Sequence, residues 1–217
     1  MKIVVTGGAG FIGSRLVGRL VRQGHQILVV DDLSLGQRSF LESGEASGHV
    51  SFELLDCNSP RFIELVKAYK PDRLFHLAAN SDISSGTKDL RVDFEKTLGT
   101  TIGVLNAVRQ SGCTELVFAS TSAVYGEAPG AIREDHGPLS PISNYGAAKL
   151  SSEAFISSCC HLYGLRSWIF RFPNVVGPNL THGAIFDFVR RLGRDRRRLV
   201  VLGDGSQTKP YIHVDDL

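Results

Sequence analysis

Cysteine, unbalanced charge and long apolar runs are all scarce in this 217-residue chain. The four cysteines, Cys57, Cys113, Cys159 and Cys160, lack the paired spacing of a zinc site, and two of them are adjacent. They read as reduced thiols, which points to a cytoplasmic chain rather than a disulfide framework. No apolar run is long enough to span a bilayer. The chain enters a strand pattern at once, so no signal peptide is read and no membrane partner is expected. Lys and Arg number 24 against 22 Asp and Glu, a formal charge of +2, which marks no special partner. The one basic cluster, residues 190–198 (RRLGRDRRR), has no aromatic residue among its arginines. It reads as the solvated end of a helix, where cations suit the negative dipole end, and not as a nucleic-acid platform. No internal repeat or low-complexity segment is evident. Hydrophobic residues make up 42% of the chain, ordinary for a globular protein and enough at this length for a full core.

What is present begins with one glycine-rich turn. Residues 3–13 read IVVTGGAGFIG: a short apolar run, then Gly7, Gly10 and Gly13 at three-residue spacing. The run suits a buried parallel strand. The glycines allow a tight turn and a close approach to a pyrophosphate, and the following helix offers that anion free N–H groups. A second apolar run, QILVV at 26–30, ends at Asp31 and Asp32, and Asp31 lies 18 residues after Gly13. A carboxylate at that distance suits an adenosine ribose and favours NAD over NADP.

The rest of the chain alternates. The pattern predicts strands at 2–6, 26–30, 50–55, 73–77, 114–119 and 165–170, and helices at 11–23, 59–69, 90–111 and 144–163. Such alternation argues for an α/β fold, a doubly wound parallel sheet with helices on both faces, and ligands at the carboxyl ends of the strands. Several motifs fall at those ends. Asp56-Cys57 follows the third strand, where a carboxylate reaches an adenine or simply begins a helix. His76 closes the fourth strand and reads as a packed core histidine. Ala78-Ala79 after it lets backbone approach a cofactor.

The fifth strand leads into FASTSAVYG and delivers the hydroxyls of Ser120, Thr121 and Ser122 to the same edge. Tyr145 and Lys149 follow on a predicted helix, four residues apart and therefore on one face. A free phenol titrates near ~10, and an adjacent ammonium, helped by a positive nicotinamide ring, favours the phenolate. The expected result is a base usable near neutral pH, with Thr121 holding a substrate alcohol against it.

GGAGFIG, DDLS, HLAA, STSAVYG, YGAAK and RFPNVVGP, in this order, resemble the extended short-chain dehydrogenase/reductase family, and within it the nucleotide-sugar 4-epimerases. The resemblance implies a Rossmann domain over 1–175, an incomplete smaller substrate-binding portion over 176–217, NAD as cofactor and a UDP-sugar as substrate. It implies Thr121, Tyr145 and Lys149 as the catalytic trio. Gly7, Gly10, Phe11, Ile12 and Gly13 match the pyrophosphate loop, and Asp31, Asp32, Leu33, Ser34 and Gly36 the ribose side. Asp56 and Cys57 match the adenine site; Leu77, Ala78, Ala79, Lys96 and Pro173 lie beside the cofactor. Ser120, Thr121, Ser122, Tyr145, Asn174 and Lys209 are implied at the substrate. The segment 202–217 matches one bordering the nucleotide. A homodimer paired through helices 90–111 and 144–163 is implied as well.

Departures sharpen the reading. Dehydratases of the family carry an Asp-Glu pair where Ser122-Ala123 stands, and decarboxylases usually carry a glutamate at Ala123. Lys96 replaces a common asparagine, and Lys209 replaces an arginine, keeping charge but losing its two-pronged geometry. The family usually runs roughly another hundred residues. A sugar-nucleotide 4-epimerase is expected first. A dehydrogenase, reductase or decarboxylase of a related sugar nucleotide, or a noncatalytic dinucleotide-binding protein, is the alternative.

Overall fold

Valine, isoleucine and leucine at successive positions give β1 (Lys2–Thr6) and β2 (Gln26–Asp31) two buried faces at once. Side chains alternate across a strand. Val4, Leu28 and Val30 therefore enter one apolar layer, with Phe62, Val104, Phe118 and Ile156, while Ile3, Val5, Ile27 and Val29 enter the other, with Val17 and Leu20. A computed structural model describes residues 1–127, 130–201, 203–206 and 208–217, with side chains apart from those of residues 83–85. The chain divides into two units, 1–172 and 173–217.

The first unit holds six parallel strands in the order β3-β2-β1-β4-β5-β6. The remaining four are β3 (Val50–Leu54), β4 (Arg73–His76), β5 (Glu115–Thr121) and β6 (Arg166–Phe172). Strand order reverses between β1 and β4, and the crevice outside their carboxyl ends is where such sheets take ligands. The crossovers use α1 (Phe11–Arg22), α2 (Glu42–Ala46), α3 (Pro60–Tyr69), α4 (Ile83–Lys88), α5 (Leu90–Asp93), α6 (Thr100–Ser111) and α7 (Asn144–Tyr163). Local chemistry sets the ends. Ser59 caps α3 by accepting from the Arg61 N–H, with Pro60 in the first turn, and Ser143 caps α7 by accepting from the Gly146 N–H. Gly112 and Gly164 end α6 and α7 in the left-handed conformation.

The predicted strands match the observed ones to within two residues. The predicted helix over 90–111 is corrected: α5 and α6 are joined by a π-helical stretch, Phe94–Gly99. The cause is the loop after β4. The Asn80 amide donates to the Lys96 carbonyl (3.2 Å) and to Thr97 Oγ1 (3.1 Å), and the Thr100 and Thr101 hydroxyls donate to the Thr97 carbonyl (both 2.9 Å). Outside donors claim carbonyls of the helical ladder, and the ladder widens there.

The second unit pairs β7 (Asn174–Val176) with β8 (Tyr211–His213) in parallel and carries α8 (Ala184–Arg194). These elements, α2 and α4 are additions to the predicted set. Arg191 and Arg194 occupy the last turn of α8, so the basic cluster is the exposed end of a helix, as read from sequence. Leu202 and Gln207 of the 202–217 segment lie outside the described residues. Among the described residues no helix is long and apolar enough to cross a membrane.

Candidate active site

The glycine turn between β1 and α1 is built from what its residues lack. Gly7 has a φ of 71°, and a Cβ there would lie 2.6 Å from the Ala78 nitrogen. A Cβ on Gly13 would run into the Gly7 carbonyl. The turn thus closes on the Leu77-Ala78-Ala79 backbone, itself half-buried. No side chain caps α1, whose N-cap is Gly10, and no acid stands in its first turn. The N–H groups of Phe11, Ile12 and Gly13 begin this helix with neither a side-chain cap nor an acid from its own first turn. This fits the pyrophosphate of a dinucleotide.

Asp31 sits at the carboxyl end of β2, 7% exposed. Its Oδ2 accepts from the Ala9 amide and its Oδ1 from the Leu33 amide, both at 2.9 Å. Burial pushes its carboxyl up, against those two bonds. The acid shapes the loop it faces, and each oxygen keeps a second lone pair for a ribose hydroxyl. A Cβ on Gly36 would sit 2.9 Å from Asp31 Oδ1, so that loop passes against the carboxylate. Asp32 is exposed and accepts from the Ser34 amide (2.9 Å). Asp56, also exposed, accepts from the Asn58 amide (2.8 Å). The expectation for Cys57 is corrected in its side chain: the thiol lies in the apolar layer, and burial pushes it up, so it is no rim group.

His76 is fully buried between Thr6 Oγ1 (2.8 Å) and Thr101 Oγ1 (3.1 Å), and burial pushes it down to about 3. It is a neutral core histidine, as read from sequence. Lys96 is exposed on the π-helical stretch.

The catalytic side of the rim is made by β5 and α7. Thr121, half-buried, ends β5 and caps the 3-10 turn Ser122–Tyr125 by accepting from the Ala123 amide (3.2 Å). The start of α7 presses on that turn: a Cβ on Gly146 would lie 2.8 Å from the Ala123 carbonyl oxygen. Glycine at this position brings Tyr145 beside the turn that follows Thr121. Lys149, one helical turn on, is 2% exposed. Its Nζ donates to the Ala119 carbonyl (2.6 Å) and lies 4.7 Å from the Phe118 ring centre and 5.9 Å from that of Tyr145.

One sequence expectation changes here. Ser120 is 3% exposed and donates its hydroxyl inward to Glu153, so it does not face a substrate. The alternation of β5 explains this: Ser120 and Thr121 point to opposite faces. The Tyr145 base near neutral pH is expected with a positive nicotinamide ring beside it. Burial, and then the Asp93 carboxylate, push its phenol up to about 12, while burial, opposed by Glu153, pulls Lys149 down to about 7.

Asp93 and Glu153 are the acids that sequence reasoning missed. Asp93 is 1% exposed; its Oδ1 accepts from Asn80 Nδ2 (2.8 Å), and its Oδ2 has no hydrogen-bond partner among the described residues. That oxygen lies against Gly86, whose carbonyl accepts from Asn144 Nδ2 (2.8 Å), next to Tyr145. Glu153 is bound two-prongedly by Arg171 (2.7 Å for Nη2 to Oε2). A lone arginine in the strand segment WIFRF is a sign that a buried acid is needed, but it does not say which one.

In the second unit, Asn174 pairs in register with Tyr211 and its side chain donates to the Pro210 carbonyl (3.3 Å). Asn174 and exposed Lys209 therefore share one end of the small sheet, just after Pro173. Among the described residues no His, Cys, Asp and Glu cluster has the makings of a metal site, and all four cysteines are free thiols.

Residues 3–217 match the family described as NAD dependent epimerase/dehydratase. A UDP-glucose 4-epimerase of Mycolicibacterium smegmatis is 34% identical over all of this chain, which covers 71% of that protein. The solved UDP-glucose 4-epimerase of Thermus thermophilus, complexed with NAD, is 32% identical with a TM-score of 0.89, matched over 100% of this chain and 71% of its own. A dTDP-glucose 4,6-dehydratase of Streptomyces venezuelae, solved with NAD, is 30% identical with a TM-score of 0.91, matched over 100% of this chain and 69% of its own.

Proposed function

The chain belongs to the NAD dependent epimerase/dehydratase family, with NAD as its cofactor, and on that premise we propose that it is a nucleotide-sugar 4-epimerase acting on a UDP-sugar. The observation that carries this reading is the 3-10 turn after Thr121. It presents Ser122 and Ala123 beside Tyr145, and the turn itself carries no carboxylate. Elimination of water needs an acid at that place, whereas epimerisation needs the trio alone. NAD, when bound, supplies the acceptor that takes hydride from C4 of the sugar and returns it to the other face.

The residues of the chain divide the remaining work. The amides of Phe11, Ile12 and Gly13, with Gly7 and Gly10, hold the pyrophosphate. Asp31 and Asp32, with Leu33, Ser34 and Gly36, hold the ribose, and Asp56 the adenine. Leu77, Ala78, Ala79, Lys96 and Pro173 line the cofactor. Thr121 orients the C4 hydroxyl, and Tyr145 Oη takes and returns its proton. The positive charge of Lys149 lowers the cost of the phenolate. Ser122, Asn174 and Lys209 hold the sugar nucleotide.

We also assign a cytoplasmic homodimer. Four free thiols support the location. Phe94 (64% exposed) and Phe155 (49% exposed) support the dimer, since with Ile63, Leu98 and Ile102 they line one apolar groove along the helices expected to pair. Sedimentation tests it: a Phe155→Asp variant is expected to be monomeric where the parent is dimeric.

The activity test is nuclear magnetic resonance of UDP-glucose incubated with the protein and NAD. Interconversion with the 4-epimer is expected, and Tyr145→Phe should slow it by about 10²-fold or more. A 4-keto-6-deoxy product would make the protein a dehydratase, and stoichiometric NADH release would make it a dehydrogenase.

A further inference from the structure

We propose that Glu153, gripped by Arg171, is the positioning residue that keeps Lys149 charged and holds the strand end bearing Thr121. The inference rests on the reading of Lys149 as the partner of Tyr145.

Glu153 lies one helical turn beyond Lys149 on α7, so the two side chains share a face. It is 7% exposed, and a carboxylate so placed needs donors. It has them from two strands. Ser120 Oγ on β5 donates to Oε1; Arg171 on β6 donates through Nε to Oε1 (3.1 Å) and through Nη2 to Oε2 (2.7 Å). The remaining nitrogen of Arg171, Nη1, donates to Tyr125 Oη (3.0 Å), at the end of the turn that Thr121 begins, and to the Glu134 carbonyl (3.4 Å). One carboxylate thus joins α7, β5, β6 and the 122–125 turn. Lys149 Nζ is bonded to the Ala119 carbonyl, one residue before Ser120. Anything that moves Glu153 moves the last three residues of β5 together with the lysine's acceptor.

A plain structural staple does not need these residue types, because an apolar pair of similar volume holds elements together as well or better. The charge has a use in what surrounds Lys149. Phe118 lies under it, and His76 faces it from β4 as a neutral ring. Tyr145 shares its helix, and Asp93 faces that phenol from the α5 side. Arg171 on β6 is paired with Glu153, so its positive charge offsets part of that carboxylate's field at Lys149. Glu153 is the anion that offsets burial of the ammonium, which stands at about 7.

The test is a pH titration of Lys149 itself, followed by resonance of carbon-labelled lysine in the protein without NAD or sugar nucleotide, with the signal assigned through Lys149→Arg. Glu153→Gln should lower the titration midpoint by about one pH unit or more, and Glu153→Asp should restore most of it. Arg171→Gln, which strips the counter-charge from Glu153, should raise the midpoint. Opposite signs from the two neutral variants are the signature, since general loosening would move both the same way. An unmoved midpoint, or a shift of one sign in both, overturns the proposal. Where Glu153→Gln does not fold, Arg171→Gln decides alone: a rise supports the proposal and a static or falling midpoint overturns it. No turnover is read, so a chain that shifts as expected yet fails to epimerise UDP-glucose defeats the proposed function and leaves this assignment standing.

Discussion

The two sides of the candidate site are made of different materials. The rim at β1 and β2 is a cradle of backbone amides, shaped by missing Cβ atoms at Gly7, Gly13 and Gly36 and tied by one carboxylate, Asp31. The rim at β5 and α7 is made of buried side-chain charges: Lys149, Glu153, Arg171 and the half-satisfied Asp93. The first side binds by shape and dipole, so it is indifferent to moderate changes of pH and intolerant of added volume. The second holds charges away from water, which costs stability and makes their ionisation depend on neighbours. A cofactor site needs only complementarity, whereas a proton-handling site needs groups whose protonation is adjustable.

The contrast can be broken most severely at Arg171. Arg171→Gln leaves Glu153 buried without its partner and should cost about 3–5 kcal/mol in urea denaturation. A loss within the range of an exposed pair, under about 1 kcal/mol, would show that water reaches the carboxylate. On the other side, Gly13→Ala places a methyl group against the Gly7 carbonyl. It should cost about 1–3 kcal/mol and abolish NAD binding by calorimetry, with no change in the pH dependence of stability. Normal NAD affinity in that variant would remove the turn from the cofactor site.

The charged side carries a pH signature. Lys149 stands at about 7 in the folded chain against 10.5 for an ordinary lysine. Between those values the unfolded chain binds a proton that the folded chain lacks, so the lysine's contribution to stability rises with pH through that window. Its penalty is full below pH 7. Lys149→Met should therefore gain most over the parent below pH 7, and the gain should shrink as pH approaches 10.5, as read by thermal unfolding. The smallest effect is expected at Asp93. Asp93→Asn removes an anion that raises the Tyr145 phenol, so tyrosinate absorbance should develop at lower pH than in the parent. A titration curve that does not move would place Asp93 outside the reach of Tyr145.

How much of this was legible beforehand follows the same division. The strands, the glycine turn, Asp31 at the end of β2 and the shared face of Tyr145 and Lys149 are local patterns, fixed by periods of two and 3.6 residues and by short spacings. His76 was legible as a core residue for the same reason. The inward turn of Ser120 was not, because a run of three hydroxyls, Ser120, Thr121 and Ser122, does not say which face of β5 each takes until α7 packs beneath it. Asp93 sits in a segment that reads as an even helix, and only the Asn80 amide, arriving from another loop, opens the π-helical stretch beside it. The ion pair of Glu153 and Arg171 joins residues 18 positions apart on different elements, with no pattern between them.

Alone, the sequence determined a doubly wound α/β chain with an NAD-type turn and a tyrosine-lysine pair, because backbone sterics and side-chain alternation act over a few residues. Tertiary structure decided which charges are buried together, and with them the state of Tyr145 and Lys149. Ionisation is set by solvent exclusion and by the field of groups brought close from distant strands, quantities that exist only once the sheet and α7 have met.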